Sequence, residues 1–326
     1  MGHISVIGSG SWGTALAQSL ANGGGHSVAL WARDAALADA INTHHENIKY
    51  LAGTPLSENI TATSNLADTC KSDIILMVTP AQAMRDILTN MKAHLNDEQT
   101  LVLCSKGLET GTGKFMSEVA ADVLPNIKTA ILTGPNFAID IAKGKPAATT
   151  LACADHDLAT TIQSAIASPY FRPYITNDII GAQICGAFKN IIAIACGIAH
   201  GMDMGESARA SLVTRGLAEL SRLGAAMGAN TETFMGLCGV GDIMLTCSST
   251  QSRNFSFGLN LTQKIDATKS KKYVTEGIHT AESAAKLANN YGVKMPICEA
   301  VNNCLNNGHT LDEVLQALLN RPLTNE

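Results

Sequence analysis

The stretch that decides the fold is Ser5-Val6-Ile7-Gly8-Ser9-Gly10-Ser11-Trp12-Gly13-Thr14-Ala15, near the start of a chain of 326 residues. It places the glycine spacing GxGxxG between a β-branched run and a segment with helical apolar spacing. In that context Gly8 makes the tight turn, Gly10 lets the backbone approach a pyrophosphate, and Gly13 lets the helix pack closely on the strand. Free N–H groups at the helix N-terminus favour phosphate. The stretch therefore predicts a dinucleotide-binding Rossmann unit.

The spacing of apolar residues changes near Gly181. Before it, short β-branched runs alternate with helix-like segments, and near-continuous apolar runs such as Ile74–Val78 are typical of a parallel sheet covered on both faces. After it, apolar residues recur at helical spacing without convincing strands. We predict an α/β, doubly wound Rossmann domain over residues 1–180 and an all-α substrate and catalytic domain over residues 181–326.

The individual elements follow from the same patterns. The predicted strands are His3–Ile7, Ser27–Trp31, Ile74–Val78, Thr100–Cys104, Thr129–Leu132, Ala148–Cys153 and Phe171–Ile175. The predicted helices include Gly13–Ala21, Ala81–Met91, Ala182–Ala199, Glu206–Met227, Ala281–Tyr291 and Leu311–Leu319. Thr310 and Glu313 predict a capping box that opens the last of them.

Composition excludes several classes of function. The net charge of −5 argues against nucleic-acid binding, and no Lys/Arg run suggests binding to an anionic membrane surface. The nine cysteines are scattered without a CxxC pair, so we expect buried free thiols and no structural metal. A strand pattern begins at His3, and the apolar, uncharged stretch of residues 190–202 is shorter than the roughly 20 residues that span a bilayer. The expected location is cytoplasmic.

The choice between NAD and NADP depends on the end of the second predicted strand. An acidic side chain there accepts from the ribose 2′-OH, whereas an arginine holds a 2′-phosphate. This chain offers Arg33 followed by Asp34. Because Arg33 comes first after the strand, we favour NADP(H), with NAD(H) tolerated.

Two lysines stand in apolar surroundings. Lys106 follows a predicted buried strand, at the sheet edge where doubly wound folds bind ligands. Lys189 is the only charge in a long apolar helical stretch. A carbonyl reduced by hydride becomes an alkoxide that needs a proton donor, and a lysine can supply the proton. The alternative for Lys189 is a surface lysine whose stem lies along apolar surface.

A second polar cluster lies downstream. Ser252, Arg253 and Asn254 offer adjacent donors suited to phosphate, and Asp242 is placed to pair with Lys189. A solvated polar loop explains the cluster equally well on composition alone.

Several linked stretches carry a more specific resemblance. GSGSWGTALA, SKGLE, GPNFA, FKNIIAIACG, GVGDIMLTCSS, QSRN and VTEG occur in order and span nearly all of the chain. Together they resemble the bacterial NAD(P)-dependent sn-glycerol-3-phosphate dehydrogenases. The resemblance implies interconversion of dihydroxyacetone phosphate and sn-glycerol 3-phosphate by hydride transfer, feeding glycerophospholipid synthesis.

The resemblance also implies residue roles. Lys189 would be the general acid/base, with Lys106 and Asp242 completing the catalytic group. The implied substrate-binding residues are Lys106, Gly134, Asn136, Lys189, Asn190, Asp242, Thr246, Ser252, Arg253 and Asn254. The implied cofactor-binding residues are Gly8, Gly10, Ser11, Trp12, Gly13, Arg33, Lys106, Ala138, Arg253, Val274 and Glu276. Asn136 departs from the Ser or Thr usual in the family, and its amide can still donate and accept hydrogen bonds, so we expect activity to survive this change.

Two other functions remain open at this point. A related two-domain dehydrogenase acting on a β-hydroxy acid or sugar acid needs a carboxylate clamp, which the cluster around Arg253 could form. A non-catalytic dinucleotide sensor would keep the fold without turnover. The expected partner is a small phosphorylated three-carbon substrate, with no nucleic acid and no membrane insertion. The sequence leaves the oligomeric state open, a homodimer included.

Overall fold

The structure is a computed structural model that describes residues 3–23, 25–263 and 276–322. The chain divides into two compact units. The first comprises Met1–Lys106 and Phe115–Ala182, and the second comprises Gly107–Lys114 and Gln183–Glu326. The domain division at residue 180 stays a prediction. No local sequence pattern indicates that residues 107–114 group with the second unit.

The first unit is built on an eight-stranded sheet in the order β3-β2-β1-β4-β5-β6-β7-β8. Neighbouring strands are parallel except β6 and β7, which pair antiparallel. The strands are β1 His3–Ile7, β2 Ser27–Trp31, β3 Ile60–Thr63, β4 Ile74–Met77, β5 Thr100–Leu103, β6 Lys128–Thr133, β7 Ala147–Ala152 and β8 Phe171–Thr176. The helices are α1 Ser11–Gly23, α2 Ala35–His44, α3 Leu66–Thr69, α4 Met84–Met91, α5 Met116–Val123, α6 Ala138–Ala142 and α7 His156–Ile166. The prediction of a doubly wound Rossmann sheet is confirmed.

All seven predicted strands are present, with bounds that differ by one residue at most. Strand β3, a four-residue strand at the sheet edge, was not predicted. An edge strand pairs on one side only, so its residues need not form the continuous apolar run that marks a central strand. Central positions such as Val6, Leu76 and Val102 are fully buried, as the apolar runs predicted.

The second unit is helical. Its elements are α8 Ile179–Gly201, which begins in the first unit, then α9 Gly205–Ala226, α10 Thr231–Phe234, a π-helical turn Leu237–Gly241, α11 Asp242–Cys247, α12 Arg253–Thr262, α13 Glu276–Asn290, α14 Pro296–Asn306 and α15 Leu311–Leu319. The capping box predicted for α15 is present, with the Thr310 hydroxyl accepting from the Glu313 N–H and the Glu313 carboxylate accepting from the Thr310 N–H. Eight of the nine cysteines are buried and all nine are free thiols, as expected.

Helix α8 is the core of this unit. It is long and apolar enough to cross a membrane by length and composition, but 83% of its most apolar window is buried inside the protein. A helix that is apolar all round and covered by protein is a core helix. The predicted helix Ala182–Ala199 lies within α8, which extends three residues further at its N-terminal end and two residues further at its C-terminal end.

Glycines bring α12 directly against α8. A Cβ on Gly197 would lie 2.0 Å from the carbonyl oxygen of Phe255, and one on Gly258 would lie 2.1 Å from that of Ile194. Real side chains cannot approach backbone atoms so closely, so the helix backbones touch only because these positions lack a Cβ. This contact fixes the start of α12 relative to α8 within the second unit.

A buried carboxylate holds the start of α14. Glu219 of α9 accepts hydrogen bonds from the backbone N–H groups of Ile297 (2.7 Å) and Cys298 (3.2 Å). These N–H groups have no partner inside their own helix, so the carboxylate serves as a cap supplied by another element. Burial raises the pKa of Glu219 to about 7, although both hydrogen bonds act to lower it.

This carboxyl predicts a pH-dependent stability. Because its pKa in the folded protein lies above the ordinary 4.5, the folded state holds a proton that the unfolded state releases between pH 4.5 and 7. Its contribution is full below pH 4.5 and is lost as the pH rises towards 7, a change of about 3 kcal/mol in the free energy of unfolding. Urea unfolding of Glu219→Gln at pH 5 and pH 8 should show a smaller difference between the two pH values than the wild type. Glu232→Gln, at an exposed position of α10, is the matched control. Equal pH dependence in the wild type and Glu219→Gln would contradict the expectation.

Candidate functional site

Glycine is present at the three positions of the GxGxxG turn for different structural reasons. Gly8 has φ +118°, a conformation that side chains rarely adopt, and a Cβ there would lie 2.8 Å from the Val78 carbonyl oxygen. A Cβ on Gly13 would lie 1.8 Å from the Gly8 carbonyl oxygen, so Gly13 is required by the turn itself more than by the strand. A Cβ on Gly10 would meet no atom within 4 Å. The space over Gly10 fits the close approach of a pyrophosphate.

A buried side chain that was not among the predicted site residues holds this turn by hydrogen bonds. Asn47, which is 0% exposed, donates from Nδ2 to the Ser9 carbonyl oxygen (2.9 Å) and to the Thr14 hydroxyl (2.8 Å). The Ser11 hydroxyl donates to the Tyr50 carbonyl oxygen (2.7 Å). Asn47 and Tyr50 lie in the connection after α2, where no local pattern signals a contact more than 30 residues away.

The end of β2 separates the roles of its two charged neighbours. Asp34 is the N-cap of α2, accepting from the Ala36 N–H at 3.1 Å, and it lies 3.6 Å from the Lys49 ammonium. Arg33 is exposed and forms no ion pair with any residue that the structure describes. Its guanidinium is therefore available to an anion, whereas the Asp34 carboxylate is already engaged.

The carboxyl ends of β5 and β6 come together at one edge of the sheet. Lys106 follows β5, and its ammonium donates to the carbonyl oxygen of Gly134 (3.3 Å), which follows β6. A Cβ on Gly134 would lie 2.9 Å from Thr149, so only glycine fits there. Asn136 donates from Nδ2 to the Ala148 carbonyl oxygen (3.3 Å), and its buried Oδ1 has no hydrogen-bond partner among the described residues.

The remaining cofactor candidates of the first unit are Trp12 and Ala138. Both are half-buried. Trp12 is the second residue of α1, and Ala138 is the first residue of α6.

The second unit buries the predicted lysine with its predicted partner. The Lys189 ammonium of α8 donates to the Asp242 carboxylate and to the Thr246 hydroxyl (2.9 Å), and that hydroxyl donates to the same carboxylate (3.2 Å). Lys189 is 7% exposed and Asp242 is 0% exposed. The pairing inferred from the sequence is confirmed, and a lysine on the protein surface is excluded.

Asp242 is positioned by an irregular helix. It opens α11 directly after the π-helical turn Leu237–Gly241. A Cβ on Gly239 in that turn would lie 2.1 Å from the Phe234 carbonyl oxygen. Single π-turns are rare and occur frequently at functional sites. The glycine-rich sequence before Asp242 therefore sets the carboxylate opposite Lys189.

The residues Ser252, Arg253 and Asn254 do not form three equivalent donors. Ser252 is the N-cap of α12, its hydroxyl accepting from the Phe255 N–H at 3.3 Å. Arg253 is exposed at the first position of the helix. Asn254 is buried and bonded within the protein. The arrangement is a helix N-terminus with one exposed guanidinium, which suits an anion.

Asn254 connects three elements of the second unit. Its Nδ2 donates to Asn190 Oδ1 (3.0 Å), and its Oδ1 accepts from the Gly277 N–H (3.1 Å) in the first turn of α13. Glu276 is the half-buried first residue of α13. Asn190 and Asn254 thus hold each other beside Lys189. Val274, the remaining candidate for the cofactor, lies outside the described residues.

Comparisons with known proteins cover nearly the whole chain. Residues 3–159 match the family described as NAD-dependent glycerol-3-phosphate dehydrogenase N-terminus, and residues 178–316 match the corresponding C-terminus family. Glycerol-3-phosphate dehydrogenase [NAD(P)+] of Parvibaculum lavamentivorans is 46% identical over 99% of this chain and 98% of its own length. The protein of the same description from Caulobacter vibrioides is 48% identical over the same shares.

Solved structures agree with these matches. Glycerol-3-phosphate dehydrogenase from Coxiella burnetii aligns with a TM-score of 0.93 at 34% identity, covering 98% of this chain and 99% of that one. A ketopantoate reductase from Ralstonia eutropha aligns with a TM-score of 0.64 at 14% identity, covering 93% of this chain and 97% of that one. At that identity the second likeness concerns the fold alone.

Proposed function

The chain belongs to the NAD-dependent glycerol-3-phosphate dehydrogenase family, and we propose that it interconverts dihydroxyacetone phosphate and sn-glycerol 3-phosphate with Lys189 as general acid and base. The observation that carries the proposal is the buried Lys189, hydrogen-bonded to Asp242 and Thr246. An ammonium group is costly to bury, and its partners here are those that would keep it charged and oriented.

The cofactor is NAD(P)(H), and the first unit fits it. When bound, the cofactor supplies the hydride. The turn at Gly8, Gly10 and Gly13 and the N-terminus of α1 would hold its pyrophosphate, and Arg33 would hold a 2′-phosphate. Lys106, bonded to the Gly134 carbonyl at the carboxyl end of the sheet, would contact both cofactor and substrate. Trp12, Ala138, Arg253 and Glu276 complete the set that we propose for the cofactor.

In the reductive direction Lys189 would donate a proton to the substrate oxygen as the carbonyl becomes an alkoxide. Asp242 keeps the ammonium in position and compensates its charge. Thr246 fixes the geometry by accepting from Lys189 and donating to Asp242. In the oxidative direction the neutral amine would take the hydroxyl proton back. Positioned acid–base groups of this kind typically contribute 10²–10⁴-fold to a rate.

The substrate phosphate would bind at the start of α12. A three-carbon ketone offers little apolar area, so its phosphate must supply most of the affinity and orientation. Arg253 presents an exposed guanidinium at the helix N-terminus, where Ser252 is the N-cap. Asn190 and Asn254, which hold each other, connect this helix end to α8 next to Lys189. Asn136, with its unpartnered Oδ1, is the proposed substrate residue in the first unit.

Arg253→Ala should raise KM for dihydroxyacetone phosphate about 10–100-fold with a smaller change in kcat. A hydrogen bond to a charged group is worth roughly 1.5–3 kcal/mol, and this one binds a part of the substrate that does not react. Steady-state kinetics at saturating NADPH measure the split. Arg321→Ala, another exposed arginine of the second unit, is the control. An unchanged KM would show that Arg253 does not bind the phosphate.

Arg33→Gln should reduce the preference for NADPH over NADH about tenfold. The Arg33 side chain has no ion pair within the described part of the chain, whereas Asp34 caps α2, so the arginine is the residue available to a 2′-phosphate. The ratio of kcat/KM for the two cofactors measures the change. If the wild type strongly prefers NADH, or the variant keeps the wild-type ratio, the assignment of Arg33 is wrong.

The proposed reaction is tested by the loss of NADPH absorbance with dihydroxyacetone phosphate, beside 2- and 3-oxo acids and with NADH in parallel. We expect turnover with dihydroxyacetone phosphate and none with the oxo acids. Turnover with the oxo acids alone would favour a hydroxy-acid dehydrogenase, and binding of NADPH without turnover would favour a dinucleotide sensor. We further propose a cytoplasmic location and a role in glycerophospholipid synthesis, on the strength of the family alone.

A further inference from the structure

The second unit contains a large cavity away from Lys189 and Arg253. Its volume is about 1220 Å³, bounded by the described residues of α8, α9, α14 and α15. Ligand pockets for drug-sized molecules are typically about 300–1,000 Å³, so the space holds more than a few waters. None of the residues proposed for catalysis, substrate or cofactor lines it.

Helix α15 contributes an apolar wall to the cavity. Leu311, Val314, Leu315 and Leu318 recur at i, i+3, i+4 and i+7, the spacing of a helix face that packs on a core. All four line the cavity, yet no residue of α15 is buried. Ala300 and Val301 of α14 form part of the opposite wall. The apolar face of the helix therefore borders open volume.

The charged groups around the cavity are unbalanced. Four of the lining residues are cations, Arg215, Arg222, Lys294 and Arg321, and one is a carboxylate, Glu219. Within residues 3–23, 25–263 and 276–322, the side chains of Arg215, Lys294 and Arg321 form no ion pair. Glu219 already accepts from two backbone N–H groups. A chain of net charge −5 thus concentrates positive charge at an apolar cavity.

We propose that this cavity binds an amphipathic anion, a single alkyl chain that carries a negatively charged head group. The chain would lie against the apolar faces of α14 and α15, and the head would pair with Arg215, Lys294 or Arg321. Apolar walls with a few convergent charged groups are the usual composition of a ligand site. A second copy of this chain is the other candidate occupant, and the oligomeric state tests it below.

The proposal is tested by titrating the full-length protein calorimetrically with decanoate and decyl phosphate below their micellar concentrations, and with neutral decyl glucoside. We expect one saturable site in the micromolar range for both anions and weaker binding of the glucoside. Comparing the two anions distinguishes a carboxylate source from a phosphate source. Absence of saturable binding of either anion would overturn the proposal.

Two variants locate the site. Ala300→Phe places a large side chain in the cavity and should abolish binding, whereas Asn306→Phe, on the same helix outside the lining, should not. Arg215→Gln combined with Arg321→Gln should weaken both anions about five- to tenfold and leave the glucoside unchanged. Dehydrogenase turnover reports folding in each case.

The proposal is wrong if Ala300→Phe folds and binds normally, or if the arginine variant binds the anions as the wild type does. It is equally wrong if the wild type is a dimer that Leu315→Glu converts to monomers, because a second copy then covers this face.

Discussion

Lys189→Ala is expected to lower kcat about a thousandfold while the affinity for NADPH stays within a fewfold of the wild type. The substitution removes the proton donor, a contribution in the middle of the range for general acids. It leaves the turn at Gly8 and the exposed Arg33 untouched, since both belong to the first unit. Steady-state kinetics with dihydroxyacetone phosphate and fluorescence titration with NADPH measure the two quantities.

Folding must be separated from chemistry in this variant. Removing Lys189 leaves the Asp242 carboxylate, which is 0% exposed, without its cation, and breaking a buried pair in this way costs roughly 3–5 kcal/mol. The double variant Lys189→Ala with Asp242→Ala should recover part of that stability without recovering kcat. Lys286→Ala, which breaks an exposed pair with Glu282 on α13, should change neither. A Lys189→Ala protein that turns over like the wild type would end the assignment.

Gly258→Ala is expected to destabilise the protein by about 3 kcal/mol and to lower kcat/KM about a hundredfold. In an open helix this change stabilises by about 0.5–1 kcal/mol, but here the new Cβ would lie 2.1 Å from the Ile194 carbonyl oxygen. The Ile194 carbonyl is part of the α8 backbone and cannot rotate away as a side chain can. Helix α12 must therefore move away from α8, and Arg253 moves with it. A displacement of about 1 Å can cost 10²-fold in rate.

Gly216→Ala on α9 is the matched control for this prediction. Its Cβ would meet the side chain of Ile192, with Cδ1 the nearest atom at 2.7 Å. A side chain can change rotamer where a carbonyl cannot, so the loss of stability should be clearly smaller. Urea unfolding and the KM for dihydroxyacetone phosphate measure both variants. Equal stability of Gly258→Ala and the wild type would show that the close approach of α8 and α12 is not required.

The fold was largely predictable because its signals are local. A central strand such as β4 is a continuous apolar run. The backbone conformation at Gly8, with φ +118°, favours glycine. The short edge strand β3 was missed because pairing on one side requires little of its sequence. The grouping of residues 107–114 with the second unit could not be foreseen, since it depends on contacts distant in sequence.

The site was predictable in part. Lys189 and Asp242 could be paired from the sequence because a charge in an apolar helix requires a buried partner. The sequence predicted three equivalent donors at Ser252, Arg253 and Asn254. In the helix, Ser252 is the N-cap, Arg253 is exposed and Asn254 is buried. Asn47 could not be predicted from the sequence, because its hydrogen bonds to the turn at Gly8 join residues more than 30 positions apart.

The most direct test of the proton-transfer role is the turnover of Lys189→Ala with dihydroxyacetone phosphate and NADPH, measured with and without added ethylamine. If the Lys189 ammonium donates the proton, a small ammonium ion that enters the space left by the side chain should raise kcat of the variant at least tenfold and leave the wild type unchanged. Wild-type turnover by the variant, or an equal response of both proteins to the amine, would contradict that role.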